Sequence, residues 1–228
     1  GKPLGSHKGG YTPFEFDLTG ALTHDGPNRL VLRVEDKPTP GRLVGKQVYG
    51  EAKGIWQTVY LERRSEPHIT KIHFLPDIDR KLVTVNMAIS KPTAESYVVS
   101  VLFDISGRLE EKANFTIPPG EHKATFDIAI EYPHLWSLED PYLYKTQVLL
   151  KEKDDTIDCI NTYFGMRKIG MARLPGSDAM YVALNGRPVY LKMALDQSYH
   201  PDGYYTFPTD DFMRREIERA KALGLNGL

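Results

Sequence analysis

Towards its C-terminal end, the chain changes from an apolar run to a polar loop. The turn signal Asn185-Gly186 precedes the run, which extends over residues 189–195. A continuous apolar run of this kind is typical of a strand that is buried on both faces of a sheet. Residues 196–203 are polar or amphipathic and end in a glycine, so they are predicted to form the loop that leaves this strand.

A helix is predicted directly after this loop. Thr209 is its expected N-cap, the acidic pair Asp210-Asp211 lies in its first turn, and Gly224 stands where a C-cap glycine belongs. With residues 225–228 as the start of a further strand, this order predicts the opening βαβ unit of a parallel α/β domain. Apolar residues recur along the helix at a spacing of three to four: Phe212, Met213, Ile217, Ala220 and Leu223.

The middle of the chain carries short apolar runs at regular spacing. Turn signals such as Pro76-Asp77 and Ser106-Gly107 separate them. This many short strands within about 100 residues, without a cysteine pair, predict an immunoglobulin-like β-sandwich. The expected strands are residues 69–75, 81–89, 97–104, 113–117, 122–130, 142–151 and 156–164.

The N-terminal part is also rich in alternating apolar and polar positions. Residues 11–17, 28–36 and 54–62 each have the alternation of a half-buried strand. They predict the last strands of an antiparallel sandwich whose earlier strands lie upstream. A short two-stranded element, residues 180–184 followed by 189–193, is expected to lead from the middle sandwich into the α/β segment.

Together these patterns predict a mostly β protein in three parts. Residues 1–65 are the end of a first sandwich, residues 66–172 form the middle sandwich, and residues 173–228 begin the α/β domain. The step Glu66-Pro67 marks the first change of domain, and the turn-rich segment 173–178 marks the second.

Composition excludes several classes of function. Of the 228 residues, 41% are hydrophobic and 26% are charged, as in ordinary globular proteins. A net charge of -1 provides no attraction to nucleic acid or to anionic membrane surfaces. No apolar run approaches the about 20 residues that a membrane span needs. The single cysteine, Cys159, excludes an internal disulfide and is expected to be a half-buried strand residue.

The sequence contains no spacing that indicates a cofactor. The histidines are scattered, zinc-ligand spacing is absent, and no glycine-rich phosphate-binding motif follows a strand. We therefore expect neither a metal nor an organic cofactor.

Adjacent acidic residues do not form a convincing catalytic pair. Side chains of Glu139 and Asp140 would point apart on an extended backbone, and Pro141 makes this stretch the entry to a turn. We interpret the stretch as a structural corner between strands. The pair Asp210-Asp211 is better explained as favourable charge at a helix N-terminus.

Six stretches, in order along nearly the whole chain, resemble the glycoside hydrolases of family 2, the group of β-galactosidases, β-glucuronidases and β-mannosidases. They are residues 9–17, 28–36, 54–62, 136–144, 163–169 and 184–192. Among them are Gly54-Ile-Trp-Gln-Thr-Val-Tyr-Leu-Glu62 and Trp136-Ser-Leu-Glu-Asp-Pro-Tyr-Leu-Tyr144.

The resemblance implies an N-terminal jelly-roll sugar-binding domain, an immunoglobulin-like middle domain and a (β/α)8 catalytic barrel. By that mapping, the chain carries the end of the first, all of the second and the first βα unit of the third. The resemblance also implies retaining hydrolysis of a β-linked galactoside or a related glycoside. The two catalytic glutamates of the family lie on later barrel strands, so the chain alone is expected to be inactive.

The resemblance also implies a role for the loop after the first barrel strand, because active sites of such barrels lie at the C-terminal ends of the strands. The step His200-Pro201 matches the family's histidine at the sugar site. His200 is expected to donate to a sugar hydroxyl, Asp196 to accept from one, and Tyr199 to offer an apolar face. Gln47 is a further substrate-binding candidate, because its region approaches the mouth of the active site in related enzymes. A solvated surface loop is the alternative for these positions.

Two tryptophans are also candidates for carbohydrate contact, since an aromatic face packs on the apolar face of a pyranose. Trp56 lies inside an alternating segment, and Trp136 lies at a corner of the middle sandwich. Both positions favour core packing over sugar binding.

A non-catalytic carbohydrate-binding or adhesive β-sandwich protein is the alternative function. In that case residues 189–228 would be a terminal decoration. Under the hydrolase interpretation, residues of the βα unit lack the neighbouring strands and helices that would cover them, so this tail is expected to be mobile or covered by a second copy of the chain. The residues expected to face water in a monomer are Met193, Phe212, Ile217 and Leu223.

Overall fold

The structure is a computed structural model that describes residues 1–36, 54–197 and 199–228. It divides into two compact units. The smaller unit comprises Gly1–Thr58 and Tyr199–Thr206, and the larger unit comprises Val59–Ser198 and Phe207–Leu228. None of the helices in the described ranges has the length and apolarity that crossing a membrane requires.

All seven strands predicted for the middle of the chain form within the larger unit. Their ends agree closely with the prediction, except that the fourth strand begins at Arg108 rather than at residue 113. The strands are β1 (Ile69–Asp77), β2 (Leu82–Ile89), β3 (Tyr97–Ile105), β4 (Arg108–Ile117), β5 (Lys123–Ala129), β6 (Tyr144–Glu152) and β7 (Asp155–Phe164).

The seven strands form two antiparallel sheets. One sheet has the order β1–β2–β5, and the other has the order β4–β3–β6–β7. The chain therefore crosses between the sheets after β2, β4 and β5, as in an immunoglobulin-like sandwich, which confirms the predicted mostly β fold. The chain achieves this without a disulfide, since its one cysteine is free.

The core lies between the two sheets and is built by alternation along each strand. On β3, the residues Tyr97, Val99, Val101 and Phe103 are buried at every second position. Leu150 on β6 is likewise fully buried. Burying a side chain of this size contributes about 1.5–3 kcal/mol. The aromatic members stack on one another: Phe74 on Phe164 at 4.9 Å and Tyr144 on Phe164 at 5.0 Å between ring centroids.

The corner before β6 is held by side-chain contacts. The Tyr144 hydroxyl accepts a hydrogen bond from the backbone N–H of His134 at 2.7 Å, and burial raises the pKa of this tyrosine. The His134 ring stacks on Tyr142 at 4.0 Å, and its Nε2 lies 2.5 Å from the Asp140 carboxylate. The carboxylate of Asp140 therefore contacts a histidine within the corner. The interpretation of Glu139-Asp140 as a structural corner is confirmed.

A second, smaller sheet follows the sandwich and contains a strand that sequence analysis missed. Its order is β10–β9–β8, with β8 at Ile169–Arg173, β9 at Met180–Leu184 and β10 at Arg187–Pro188. The strand β9 was predicted. The strand β8 contains Gly170 at its second position and no long apolar run, so its pattern alone does not predict a strand.

The predicted strand over residues 189–193 is wrong. The backbone N–H of Val189 still donates to Val182, but β10 ends at Pro188 and the chain then leaves the sheet. The following residues are not buried on both faces, since Tyr190 is 72% and Leu195 is 84% exposed. A strand of a parallel sheet is covered on both faces only where helices flank several such strands, and the described residues supply one helix here.

The predicted helix forms as α1, at Asp210–Ala222. Thr209 is its N-cap, with its hydroxyl oxygen accepting from the Phe212 N–H at 3.1 Å. Gly224 has a φ of +81° just after the C-cap residue, where a side chain would be strained. After the helix, Gly227 forms an isolated parallel bridge with Met193. This helix and bridge have the order expected of a βα unit, and the barrel itself remains a prediction.

The strands predicted for the N-terminal part do not form. The structure gives residues 11–17, 28–36 and 54–62 no strand pairing in its described ranges. Alternating residues such as Leu30 and Val34 are nearly half exposed. An alternating segment becomes a strand only when another strand satisfies its backbone, and none of the described residues does so here. The proposed domain boundaries and the jelly roll therefore remain predictions.

Asn185 fastens the small sheet to the corner of the sandwich. Its Nδ2 donates to the carbonyl of Trp136 at 3.0 Å, and its Oδ1 accepts from the N–H of Lys168 at 2.9 Å. Its φ of +51° is a left-handed conformation that asparagine tolerates. Lys168 adds an ion pair with Asp79 on the sandwich. The turn predicted at Asn185-Gly186 therefore also joins two parts of the larger unit.

Replacing Asn185 tests this junction. Asn185→Gly permits the same backbone conformation but removes both side-chain hydrogen bonds, so we expect the free energy of unfolding to fall by about 1–3 kcal/mol in urea titrations. Lys153→Gly is the matched control, because Lys153 is also non-glycine at a φ of +56° but lies in the exposed turn between β6 and β7. Equal effects of the two substitutions would contradict the proposed role of the asparagine side chain.

Candidate functional site

The loop of residues 199–206, in the smaller unit, holds the candidate site. His200 and Tyr204 exchange backbone hydrogen bonds, each N–H donating to the other's carbonyl at 2.8 Å. Gly203 lies between them, and a Cβ at this position would be 2.0 Å from the carbonyl oxygen of Thr206. Only glycine fits this turn, so the loop has a defined shape that is determined by its own backbone.

The side chain of His200 is buried and has a defined orientation. Only 9% of the residue is exposed. Its Nδ1 accepts a hydrogen bond from the backbone N–H of Asp202 at 3.1 Å. In a neutral imidazole, an accepting Nδ1 means that the proton is on Nε2. The turn therefore selects the tautomer that can act as a hydrogen-bond donor through Nε2.

Three aromatic rings form a cluster in the same unit, which we name the aromatic cluster: Tyr11, Trp56 and Tyr205. The centroid of Trp56 lies 5.5 Å from that of Tyr205 and 6.0 Å from that of Tyr11. The Trp56 indole N–H donates to the carbonyl of Gly10 at 2.8 Å. The Tyr11 hydroxyl faces that of Tyr205 at 3.5 Å, and this contact, with some desolvation, raises the pKa of Tyr11.

The four predicted site residues do not all lie together in the described structure. Tyr199 and His200 lie together in the loop, and the half-buried Tyr199 ring meets the Tyr204 ring edge-on at 5.8 Å. Asp196 is exposed and belongs to the larger unit. Gln47 lies outside the described residues. The structure thus describes two of the four as neighbours.

The contribution of Tyr11 and Tyr205 to this unit is not predicted by the sequence pattern. Tyr11 lies in a stretch whose alternation predicts a strand, and Tyr205 lies beyond Gly203, the predicted end of the loop. Trp56 was assigned to the core of a strand, whereas it is half-buried in the aromatic cluster. No local signal could have joined residues that are 194 positions apart in sequence.

The other candidates belong to the larger unit. Trp136 is half-buried at the sandwich corner, with the Arg167 guanidinium 4.7 Å from its ring centroid. This is a packing position, as predicted. Cys159 lies on β7 and is exposed, so the expectation of half-burial is wrong. Its position on the outward-facing side of an edge strand explains the difference. In the described ranges, no three His, Cys, Asp or Glu side chains come together as metal ligands would.

The chemistry of the loop and the aromatic cluster suits a ligand that has hydroxyl groups and an apolar face. A buried imidazole with a defined donor, tyrosine hydroxyls and indole and phenol faces all lie within one compact unit. Binding sites for small molecules combine apolar and aromatic walls with a few positioned polar groups. A pyranose presents both kinds of surface.

The chain is similar to several known proteins. Residues 67–167 match the family model described as glycosyl hydrolases family 2. A β-galactosidase of Halalkalibacterium halodurans is 28% identical over 84% of this chain and 18% of its own length. A β-galactosidase of Enterobacter cloacae is 25% identical over 100% of the chain and 23% of its own length.

Solved structures show the same fold. A β-glycosidase from Bacteroides vulgatus superposes with a TM-score of 0.61 at 20% identity, over 76% of this chain and 22% of that chain. The chain thus spans about a fifth of the length of the β-galactosidases and of the structure that it matches.

The shape of the loop can be tested at Gly203. Gly203→Ala places a Cβ against the Thr206 carbonyl, so we expect the His200–Tyr204 backbone pair to open and the amides of both residues to exchange with solvent faster. Gly26→Ala is the control, because that glycine lies in the same unit and an added Cβ there would have no neighbouring atom within 4 Å. Hydrogen exchange followed by NMR measures both variants, and unchanged protection in Gly203→Ala would refute this account of the loop.

Proposed function

We propose that the protein containing this chain hydrolyses β-glycosidic bonds, since the chain is related to the glycosyl hydrolases of family 2. The observation that carries this proposal is the similarity to β-galactosidases, which extends over 84% and 100% of the chain for two of them. A β-galactoside or a related glycoside is the proposed substrate.

Within the smaller unit, His200 is proposed to contact the sugar. Its Nδ1 accepts from the backbone N–H of Asp202, which places the proton of a neutral imidazole on Nε2. Tyr199 is proposed to offer its ring to the apolar face of the sugar. Asp196 and Gln47 remain proposed substrate-binding residues, Asp196 as an acceptor for a hydroxyl. The burial of His200 supports this role, because a desolvated hydrogen bond is stronger than one exposed to water.

The proposed reaction is retaining hydrolysis with a covalent glycosyl intermediate. Such a reaction needs two carboxyl groups about 5–5.5 Å apart, one protonated to assist the leaving oxygen and one ionised to attack the sugar. The acidic pairs considered within this chain have other uses, since Asp140 binds His134 and Asp210 and Asp211 lie in the first turn of α1. The two catalytic glutamates are therefore proposed to lie outside the chain.

The rival, a non-catalytic carbohydrate-binding sandwich protein, explains less of the C-terminal segment. A terminal decoration has no reason to come back, in parallel, beside the segment that precedes its helix. The bridge between Met193 and Gly227, with the Asn226 N–H donating to the Lys192 carbonyl at 2.9 Å, supports a βα unit instead.

The proposal predicts a division of activity between the chain and its parent protein. On a panel of nitrophenyl β-glycosides, we expect the 228-residue chain to show no turnover and the parent protein to show it, with the β-galactoside preferred. Turnover by the chain alone would contradict the proposal that both catalytic glutamates lie outside the chain. A parent protein that binds these glycosides without hydrolysing any of them would favour the rival.

The same assay tests His200 in the parent protein. His200→Asn retains a side-chain donor but not its position, and we expect kcat/KM to fall by about 10- to 100-fold, which corresponds to about 1.4–2.7 kcal/mol of lost transition-state binding. His24→Asn is the matched control, because His24 is exposed in the same unit. Equal activity of the two variants, with the folded state checked by circular dichroism, would remove His200 from the site.

The exposed βα unit leads to a proposal about assembly. Met193, Ile217 and Leu223 are about half or more exposed, as expected for a monomer, whereas Phe212 is half-buried. An exposed apolar surface of this kind favours association. We propose that a second copy of the chain covers it when the chain is studied alone.

Sedimentation and hydrogen exchange together test that proposal. We expect a concentration-dependent dimer and, in the dimer, protection of the α1 amides that is lost on dilution. Ile217→Asp should shift the equilibrium to monomer, whereas Leu61→Asp, at an exposed leucine outside the βα unit, should not. A monomer at all concentrations with α1 as protected as β3 would contradict the proposal.

A further inference from the structure

The outer face of the four-stranded sheet carries a depression of about 390 Å³ that the proposed hydrolase function does not use. This volume lies within the range of about 300–1,000 Å³ that is usual for sites that bind small molecules. Six of the side chains that line it project from four adjacent strands: Asp104, Leu109, Lys145, Gln147, Asn161 and Tyr163.

Strand register brings these side chains together. Phe103 and Tyr144 point into the core, so the residues that follow them, Asp104 and Lys145, point outward. Lys145 is paired with Tyr163 across β6 and β7, as Gln147 is with Asn161. Since each partner lies on a rigid ladder, the group does not depend on a flexible loop for its geometry.

One member of the group is an aromatic ring that the fold leaves open. Tyr163 is 65% exposed, whereas its neighbour Phe164 is buried in the core at 6% exposure. Leu109 at the opposite edge is also exposed. Burial of an aromatic side chain is strongly favourable. The exposed ring of Tyr163 therefore offers a surface that a ligand could bury. The face of the ring suits the C–H face of a pyranose.

The polar members supply both kinds of hydrogen-bonding group around that ring. Gln147 Nε2 donates to Asn161 Oδ1 at 3.0 Å, which holds the two amides in one orientation. Lys145 adds donors, and the carboxylate of Asp104 adds acceptors while it also accepts from the Gly107 N–H at 2.7 Å. Sugar hydroxyls both donate and accept, so this mixture matches them.

Charge decides between neutral and acidic ligands. The depression contains one cation, Lys145, and one carboxylate, Asp104, so its charges cancel. A site for a polyanion, a phosphate or a string of uronic acids would need an excess of positive charge. From the exposed ring of Tyr163, the oriented amides of Gln147 and Asn161 and the absence of net charge in the depression, we infer that it binds a neutral pyranose unit of an oligosaccharide. The sandwich then holds a glycan without cleaving it.

The test uses binding and not turnover, so its result is independent of the hydrolase proposal. The 228-residue chain, labelled with ¹⁵N, is titrated with β-1,4-linked galactotetraose and, separately, with digalacturonic acid. We expect amide shifts at Lys145, Gln147 and Tyr163 with the neutral sugar, and weaker or no shifts with the acidic one. Concentrations reach about 10 mM, enough to detect a Kd of about 1 mM.

Substitutions then assign the site. Tyr163→Ala should weaken binding by about tenfold or more, corresponding to about 1.4 kcal/mol. Tyr132→Ala should bind as well as the unmodified chain, because Tyr132 is 89% exposed but lies outside the depression. Should Tyr163→Ala fail to fold, Lys145→Ala is expected to weaken binding several-fold without affecting the core.

Three results would overturn the inference. The first is no shift with the neutral sugar at the highest concentration. The second is shifts that are confined to residues 199–206, or that are unchanged in both Tyr163→Ala and Lys145→Ala. The third is tighter binding of digalacturonic acid than of the neutral sugar, which would contradict the argument from charge.

Discussion

Closure of two sheets over one shared apolar layer is the constraint on which the rest of the larger unit depends. Residues such as Val83, Val99 and Leu150 are fully buried because each strand presents alternate side chains to the opposite sheet. This alternation has a second consequence, since the intervening residues must face outward. The same periodicity that builds the core therefore also builds the polar and aromatic outer face around Tyr163. Packing and surface chemistry are two results of a single pattern.

The sandwich also determines where the following segment begins. The Tyr144 hydroxyl, the His134–Asp140 pair and the side chain of Asn185 form successive contacts around one corner. The first two contacts hold the corner together, and Asn185 fastens the small sheet β8–β10 to it, so that the βα segment leaves from β10. In the proposed hydrolase, a rigid origin for this segment would matter because loops at the ends of barrel strands carry substrate contacts.

The candidate site combines interactions of short and long range. The loop around His200 is shaped by bonds between residues a few positions apart, and its glycine is needed because no side chain fits beside Thr206. The aromatic cluster, in contrast, joins Tyr11, Trp56 and Tyr205 from three separate parts of the chain. Local bonds orient the imidazole, whereas only tertiary packing assembles the aromatic surface.

The sequence alone determined those features that follow from local periodicity and local hydrogen bonding. They are the seven strands of the sandwich, the helix with its cap at Thr209, the turn at Asn185, and the loop that contains His200. Features that need a partner from elsewhere in the chain were decided only by the tertiary structure. Residues 28–36 alternate as a strand should but have no described partner, and β8 has a weak pattern but pairs with β9. The difference is physical, because helices satisfy their backbone internally whereas a strand, a buried face or an aromatic cluster exists only when distant residues supply its other half.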